Sequence, residues 1–333
     1  AIQDFDLLEK TVEQMGIQSK KLGVHFNFAP VLDINTNPKN PIIGNRSFGE
    51  DKVNVTENAL ALMIGLQNKG VFATGKHFPG HGATETDSHH TLPVINFTQE
   101  HIREVELFPY KKLINKGLAS VMVAHLDVPS FESRPGYPSS ISKAIVTDLL
   151  KDELQFKGLI FTDALNMKGA SNFKQPGDID LEALKAGNDI LLFPENVPVA
   201  IQKIKQAIDS SVVSQERLEY SVKKILHFKY KAGLKYVKPI ETNYLNQSIN
   251  SAESEALQFQ LYEKALTVLK NDNSILPIKN LDKEKIAYVK IGNDSHKQFL
   301  ETLQKYSDVQ EVSHQNLEIN SCTHIGMPWE MMK

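Results

Sequence analysis

Cysteine is nearly missing from this chain. Cys322 is the only one in 333 residues, so no internal disulfide can brace the fold; that weighs against a disulfide-stabilised scaffold and fixes no compartment. Tryptophan is as scarce, with Trp329 alone and close to the last residue. No apolar run reaches the ~18 residues that a membrane-spanning helix needs. The sequence opens at Ala1 on an acidic helical pattern, and no signal peptide is visible. Lys and Arg number 37 against 40 Asp and Glu, a formal charge of −3. That balance gives no field suited to nucleic acid or an anionic membrane. There is no G-x-G-x-x-G and no Walker pattern, hence no recognisable phosphate cradle, and no internal repeat or low-complexity run.

What is present is ordinary for a globular α/β protein: 41% hydrophobic and 23% charged residues. Apolar runs read as strands at 23–30, 70–77, 118–125, 158–162 and 188–193, and amphipathic helical spacing separates them at 5–22, 55–69, 98–116 and 140–155, with further helices at 180–186, 197–210 and 215–232. Continuous apolar strands between helices predict a parallel sheet covered on both faces. Asp33, Lys76, His77, His125 and Asp163 all fall at or just past strand C-termini, as catalytic groups do in a (β/α)8 barrel. A doubly wound open sheet shares that property but normally adds a switch point and a Gly-rich phosphate loop. The expectation is therefore a (β/α)8 TIM-type barrel over 1–233, a polar linker over 234–253, and the start of a second α/β domain over 254–333. Only about five barrel strands can be placed, so the barrel is expected to lack its first strands and the second domain to be partial.

Polar chemistry is concentrated between Lys76 and His90, Lys-His-Phe-Pro-Gly-His-Gly-Ala-Thr-Glu-Thr-Asp-Ser-His-His, which holds four of the eleven histidines. Pro79, Gly80 and Gly82 forbid both helix and strand, which puts the later polar residues on a loop. In an extended segment Asp87 and His89 project to the same side. A carboxylate on one ring nitrogen fixes the tautomer and raises the imidazole pKa, leaving the other nitrogen to exchange a proton near neutral pH. Asp163 ends an apolar strand; from the residues alone it is equally a carboxylate opening into a cleft or an N-cap for the helix that follows.

Lys76-His77-Phe78-Pro79-Gly80-His81-Gly82, followed by Asp87-Ser88-His89 and Leu92-Pro93, resembles the signature of family 3 glycoside hydrolases, in the β-N-acetylglucosaminidase branch. Ile160-Phe-Thr-Asp-Ala-Leu-Asn-Met167, Asn45-Arg-Ser-Phe-Gly49 and Val121-Met-Val-Ala-His125 extend the resemblance, which runs from about Gly23 to Ile278. It implies Asp163 as the nucleophile of a retaining mechanism and the Asp87–His89 dyad on a mobile loop as acid, then base. It also implies Lys76, His77 and Arg46 as donors to sugar hydroxyls, with His125 and Met167 lining the pocket. Asp33 is as readily structural as catalytic. The implied substrates are terminal β-linked N-acetylglucosamine in peptidoglycan-derived or chitin-type fragments, in a bacterial setting. No cofactor, metal, nucleic acid or membrane span is expected. The family's upstream Asp-Gln-Glu-Gly-Gly segment has no counterpart in this sequence, and Thr267 to Pro277 resembles the start of its second, sandwich domain. A β-glucosidase or β-xylosidase of the same family, and a metal-dependent barrel hydrolase using His77, His81, His89 and Asp163, stand as alternatives.

Overall fold

The computed structural model describes residues 4–86, 91–290 and 297–312, and divides into two compact units, Ala1–Ala265 and Leu266–Lys333. In the first, four parallel strands lie side by side in chain order: β1 (Phe26–Asn27), β2 (Phe72–Phe78), β3 (Ser120–Val123) and β4 (Leu159–Thr162). Phe26 pairs with Phe72, Thr74 with Ser120, and Ser120 with Leu159. Beyond β4 the chain at Ile190 runs parallel to it through a bridge to Phe161, and the Thr162 amide donates to the Ile190 carbonyl at 3.0 Å.

Both faces of this sheet are filled, which is why its strands read as unbroken apolar runs. Side chains alternate between faces. Val121, Val123 and Ile160 join the large core beneath the covering helices, whereas Met122, Leu159 and Phe161 pack on the opposite side with Phe26, Phe28 and Phe228. The Phe228 ring, from the helix Gln215–Lys231, stands 5.7 Å from Phe26 and 5.0 Å from Phe72. On the first face, α1 (Phe5–Lys21) and α2 (Lys52–Asn68) begin at aspartate caps: Leu7 donates to Asp4, and Val53 and Asn54 to Asp51. They approach closely because Gly65 faces Val12, where any Cβ would collide.

An α/β arrangement of parallel strands is therefore as expected, but a closed eight-stranded ring is not found among the described residues: β1 ends the sheet on one side. The strands are shorter than their apolar runs, two of them most. Pro30 has no N–H to give, so the stretch past β1 keeps only scattered bonds to β2, among them Thr74 N to Ala29 O at 2.8 Å. The expected strand at 188–193 is reduced to the bridge at Ile190. The expected helix at 98–116 is interrupted. Pro109 cannot donate to Val105, and the turn before it widens over Ile102–Glu106, with the Leu107 amide reaching back to the Ile102 carbonyl, before the helix resumes at Phe108–Asn115.

The expected polar linker contains a short helix, Leu245–Ile249, and the helix Ala252–Ala265 belongs to the first unit. Gln18 of α1 donates to the Ile249 carbonyl at 2.9 Å, and Gln14 to Ser254. In the second unit, β5 (Ile286–Val289) and β6 (Val309–Val312) pair in parallel on either side of the helix Lys297–Leu303. Strand, helix and strand alternate here as in an α/β domain, of which the described residues show this part.

Candidate active site

The C-terminal end of β2 is built around a buried aspartate. Asp33, just beyond β1, accepts three N–H groups: the His77 amide at 3.2 Å, the His77 ring Nδ1 at 2.7 Å, and the His81 amide at 2.8 Å. Burial opposes its charge, but the His77 imidazole and the His81 amide prevail and hold its carboxyl below the usual aspartate range. An arginine can only donate, and Arg46 Nη2 lies 3.3 Å from His77 Nε2. The network therefore assigns the proton to Nδ1 of His77, donated to Asp33, with Nε2 accepting from Arg46.

The segment that follows is held as firmly. Asn40 donates to the carbonyls of His81 and Gly82 at 2.8 and 3.0 Å while its own oxygen accepts the amides of Ile42 and Ile43. A Cβ at Gly82 would run into the Ile34 carbonyl, and one at Gly80 would lie 2.6 Å from the Glu106 carboxyl. These glycines serve close backbone approach at the root of the loop. Asp87 and His89 lie outside the described residues.

Asp163 follows β4, its amide bonded to the Val123 carbonyl at 2.8 Å. The capping alternative does not hold. The next helix starts at Lys168 behind Met167, and among the described residues the Asp163 carboxylate takes only the adjacent Ala164 amide, at 2.8 Å. Burial works against its charge, but the nearby imidazoles of His77 and His125, the Ala164 amide and the Lys76 ammonium outweigh it and hold the carboxyl below the usual range. Lys76 is pulled down from the ordinary lysine value by burial and by Arg46, with Asp163 and Asp33 opposing.

One cavity of about 390 Å³ gathers Arg46, Lys76, His77, Asp163 and Met167, together with His81, Asn166, Phe28, Leu192 and Phe193. His125 is placed elsewhere. It is fully buried behind the cavity wall, its Nε2 donating to the Ala164 carbonyl at 2.9 Å and its Nδ1 facing Ser140 Oγ at 2.7 Å. It thus steadies the peptide that presents Asp163. Among the described residues no three His, Cys, Asp or Glu side chains converge as a metal's donor set, and no helix is long and apolar enough to cross a membrane.

Sequence reasoning missed two residues. Phe193 was hidden at the end of an apolar run that reads as core, although its place at a strand end was the same signal that marked Asp163. Glu106 was hidden inside a helical pattern. It is 2% exposed, and neither carboxyl oxygen has a hydrogen-bond partner among the described residues. Burial, with Asp33 nearby, pushes its pKa up to about 8.

A parallel α/β fold with a carboxylate and cationic donors gathered at its strand C-termini has the layout of an enzyme active site. Residues 1–228 match the glycosyl hydrolase family 3 N-terminal domain, and the chain belongs to that family. It is 32% identical over 293 residues to "Beta-hexosaminidase A" of Pseudoalteromonas piscicida, covering 81% of this chain and 48% of that protein. To the "Beta-N-acetylglucosaminidase/beta-glucosidase" of Cellulomonas fimi it is 28% identical over 281 residues, 82% of this chain and 50% of the other. The solved family 3 β-N-acetylglucosaminidase of Paenibacillus sp. str. FPU-7 superposes with a TM-score of 0.78 at 30% identity, covering 94% of this chain and 61% of that one. The chain spans about half the length of the curated relatives it matches.

Proposed function

We propose that this chain carries the active site of a retaining exo-β-N-acetylglucosaminidase, acting on terminal β-linked N-acetylglucosamine of peptidoglycan-derived or chitin-type fragments. The observation that carries the reading is the convergence of Asp163, Lys76, His77 and Arg46 on one cavity, with Asp163 ionised and free of any capping duty. Asp163 attacks the anomeric carbon and forms a glycosyl ester as the glycosidic C–O bond breaks. His89, charged through Asp87, gives its proton to the departing oxygen. It then takes one from the water that opens the ester, which regenerates Asp163. Lys76 and Arg46 grip the hydroxyls of the terminal sugar, with the His77 ring, itself anchored on Asp33, orienting Arg46. The names borne by the relatives from Pseudoalteromonas and Paenibacillus support the N-acetyl preference. The double name of the Cellulomonas relative keeps β-glucosidase action as the second reading.

The test compares an aryl β-N-acetylglucosaminide with the matching aryl β-glucoside, in wild type and Asp163→Ala. The expected outcome is preference for the N-acetyl substrate, no turnover by the variant, and a protein mass increased by one sugar residue in acid-quenched wild type. Preference for the glucoside moves the assignment to the second reading. Turnover by Asp163→Ala removes the nucleophile.

A further inference from the structure

Phe193 ends the segment that runs beside β4, one residue past Leu192, whose amide is held by the Thr162 hydroxyl at 2.9 Å. Phe193 is 66% exposed, yet it helps to form the cavity that contains Asp163. Its backbone has a φ of 47°, in the left-handed region that a bulky side chain normally avoids. Core packing does not explain a large apolar ring left mostly in solvent, and local conformation does not favour it. Such a residue in such a conformation at a cavity mouth is the mark of a ligand contact.

The order of the strands says which part of a ligand it would meet. Lys76 and His77 stand at the end of β2, Asp163 at the end of β4, and Phe193 on the next segment beyond β4. A sugar gripped by the β2 side chains, with its anomeric carbon over Asp163, sends its glycosidic bond away from β2. The leaving group then departs over the Leu192–Phe193 edge. We infer that Phe193 is a stacking platform for the first ring of the leaving group, so that the favoured substrates are glycosides whose aglycone is itself a pyranose. This rests on the active-site reading above. A flat aromatic face removes the C–H face of a pyranose from water without asking it for a hydrogen bond.

The experiment measures kcat/KM for N,N′-diacetylchitobiose and for methyl β-N-acetylglucosaminide in wild type and in the Phe193→Ala, Phe193→Trp and Phe193→Gly variants. The disaccharide is expected to lose about tenfold relative to the methyl glycoside in Phe193→Ala, chiefly through KM, and to regain it in Phe193→Trp. Phe193→Gly is expected to lose the same discrimination while melting no lower than wild type, because glycine accepts the left-handed conformation without strain. A disaccharide-to-methyl ratio unchanged in Phe193→Ala overturns the platform while leaving the active site standing. A wild-type protein that cleaves neither glycoside overturns both.

Discussion

Replacing Glu106 by glutamine should stabilise the protein at neutral pH and do almost nothing in mild acid. The carboxyl is buried against the loop root at Gly80, with the Tyr110 hydroxyl, the Asp33 carboxylate and, at 4.0 Å, the His101 ring as its titratable neighbours. Burial with Asp33 nearby raises its pKa from the ordinary 4.5 to about 8. Between those values the folded protein keeps a proton that the unfolded chain has released, so the native state binds more protons and stability falls as pH rises. The slope is about 1.4 kcal/mol per pH unit. Over the two and a half units from 4.5 to 7 the loss comes to about 3 kcal/mol, and it levels off above pH 8. Glutamine has no proton to release and escapes the penalty. Urea unfolding of wild type and Glu106→Gln at pH 4.5 and pH 7 should show a gain near zero at the lower pH and about 3 kcal/mol at the higher, with unchanged m-values. An apolar control, Glu106→Met, should show the same pH-dependent part plus a constant offset. Equal gains at both pH values would refute the buried, protonated carboxyl.

Gly82→Ala should cost about 1–3 kcal/mol in the same unfolding assay, because the new methyl meets the Ile34 backbone rather than a side chain that can swing away. Asp33→Asn should weaken both fold and site: an amide cannot serve three N–H donors as a carboxylate does, and the loss is about 1–3 kcal/mol. The depressed pKa of Asp33 means that its contribution is complete above the ordinary value of 3.8 and disappears as pH falls through the native one. The difference between wild type and Asp33→Asn should accordingly shrink in strong acid, and a difference that persists there would show that shape alone is at stake.

Much of the fold could be read from residue patterns because β2, β3 and β4 are buried on both faces. A run such as Leu159 to Thr162 has nowhere else to go. In two places where the pattern failed, a missing backbone N–H was the reason. Pro30 shortens the first strand and Pro109 breaks a helix that hydrophobic spacing alone would carry through. The gathering of Arg46, Lys76, His77 and Asp163 was legible because each lies at the C-terminal end of a strand or in the connection past it, and a parallel sheet brings such ends together. His125 obeys the same rule yet lies behind the wall, since its ring is taken up by Ser140 and Ala164. Pairings across long sequence distances carried no signal. Nothing local to Asp33 announces His77, nor does anything around Gly80 announce Glu106.

On the proposed mechanism the two aspartates at this sheet end take different roles because their surroundings differ. Both carboxyls are held below their usual range against the same burial penalty, but by different means. Asp33 receives N–H groups from His77 and His81, so its charge is consumed in fixing a ring and a loop root. Among the described residues Asp163 accepts one hydrogen bond, from the adjacent Ala164 amide, and has the Lys76 ammonium nearby. A carboxylate saturated with donors is a poor nucleophile, because each bond would have to be surrendered as charge moves to the new C–O bond. One stabilised by nearby positive charge keeps a lone pair to share. Exchanging the two environments, rather than the two residues, is what would exchange their roles.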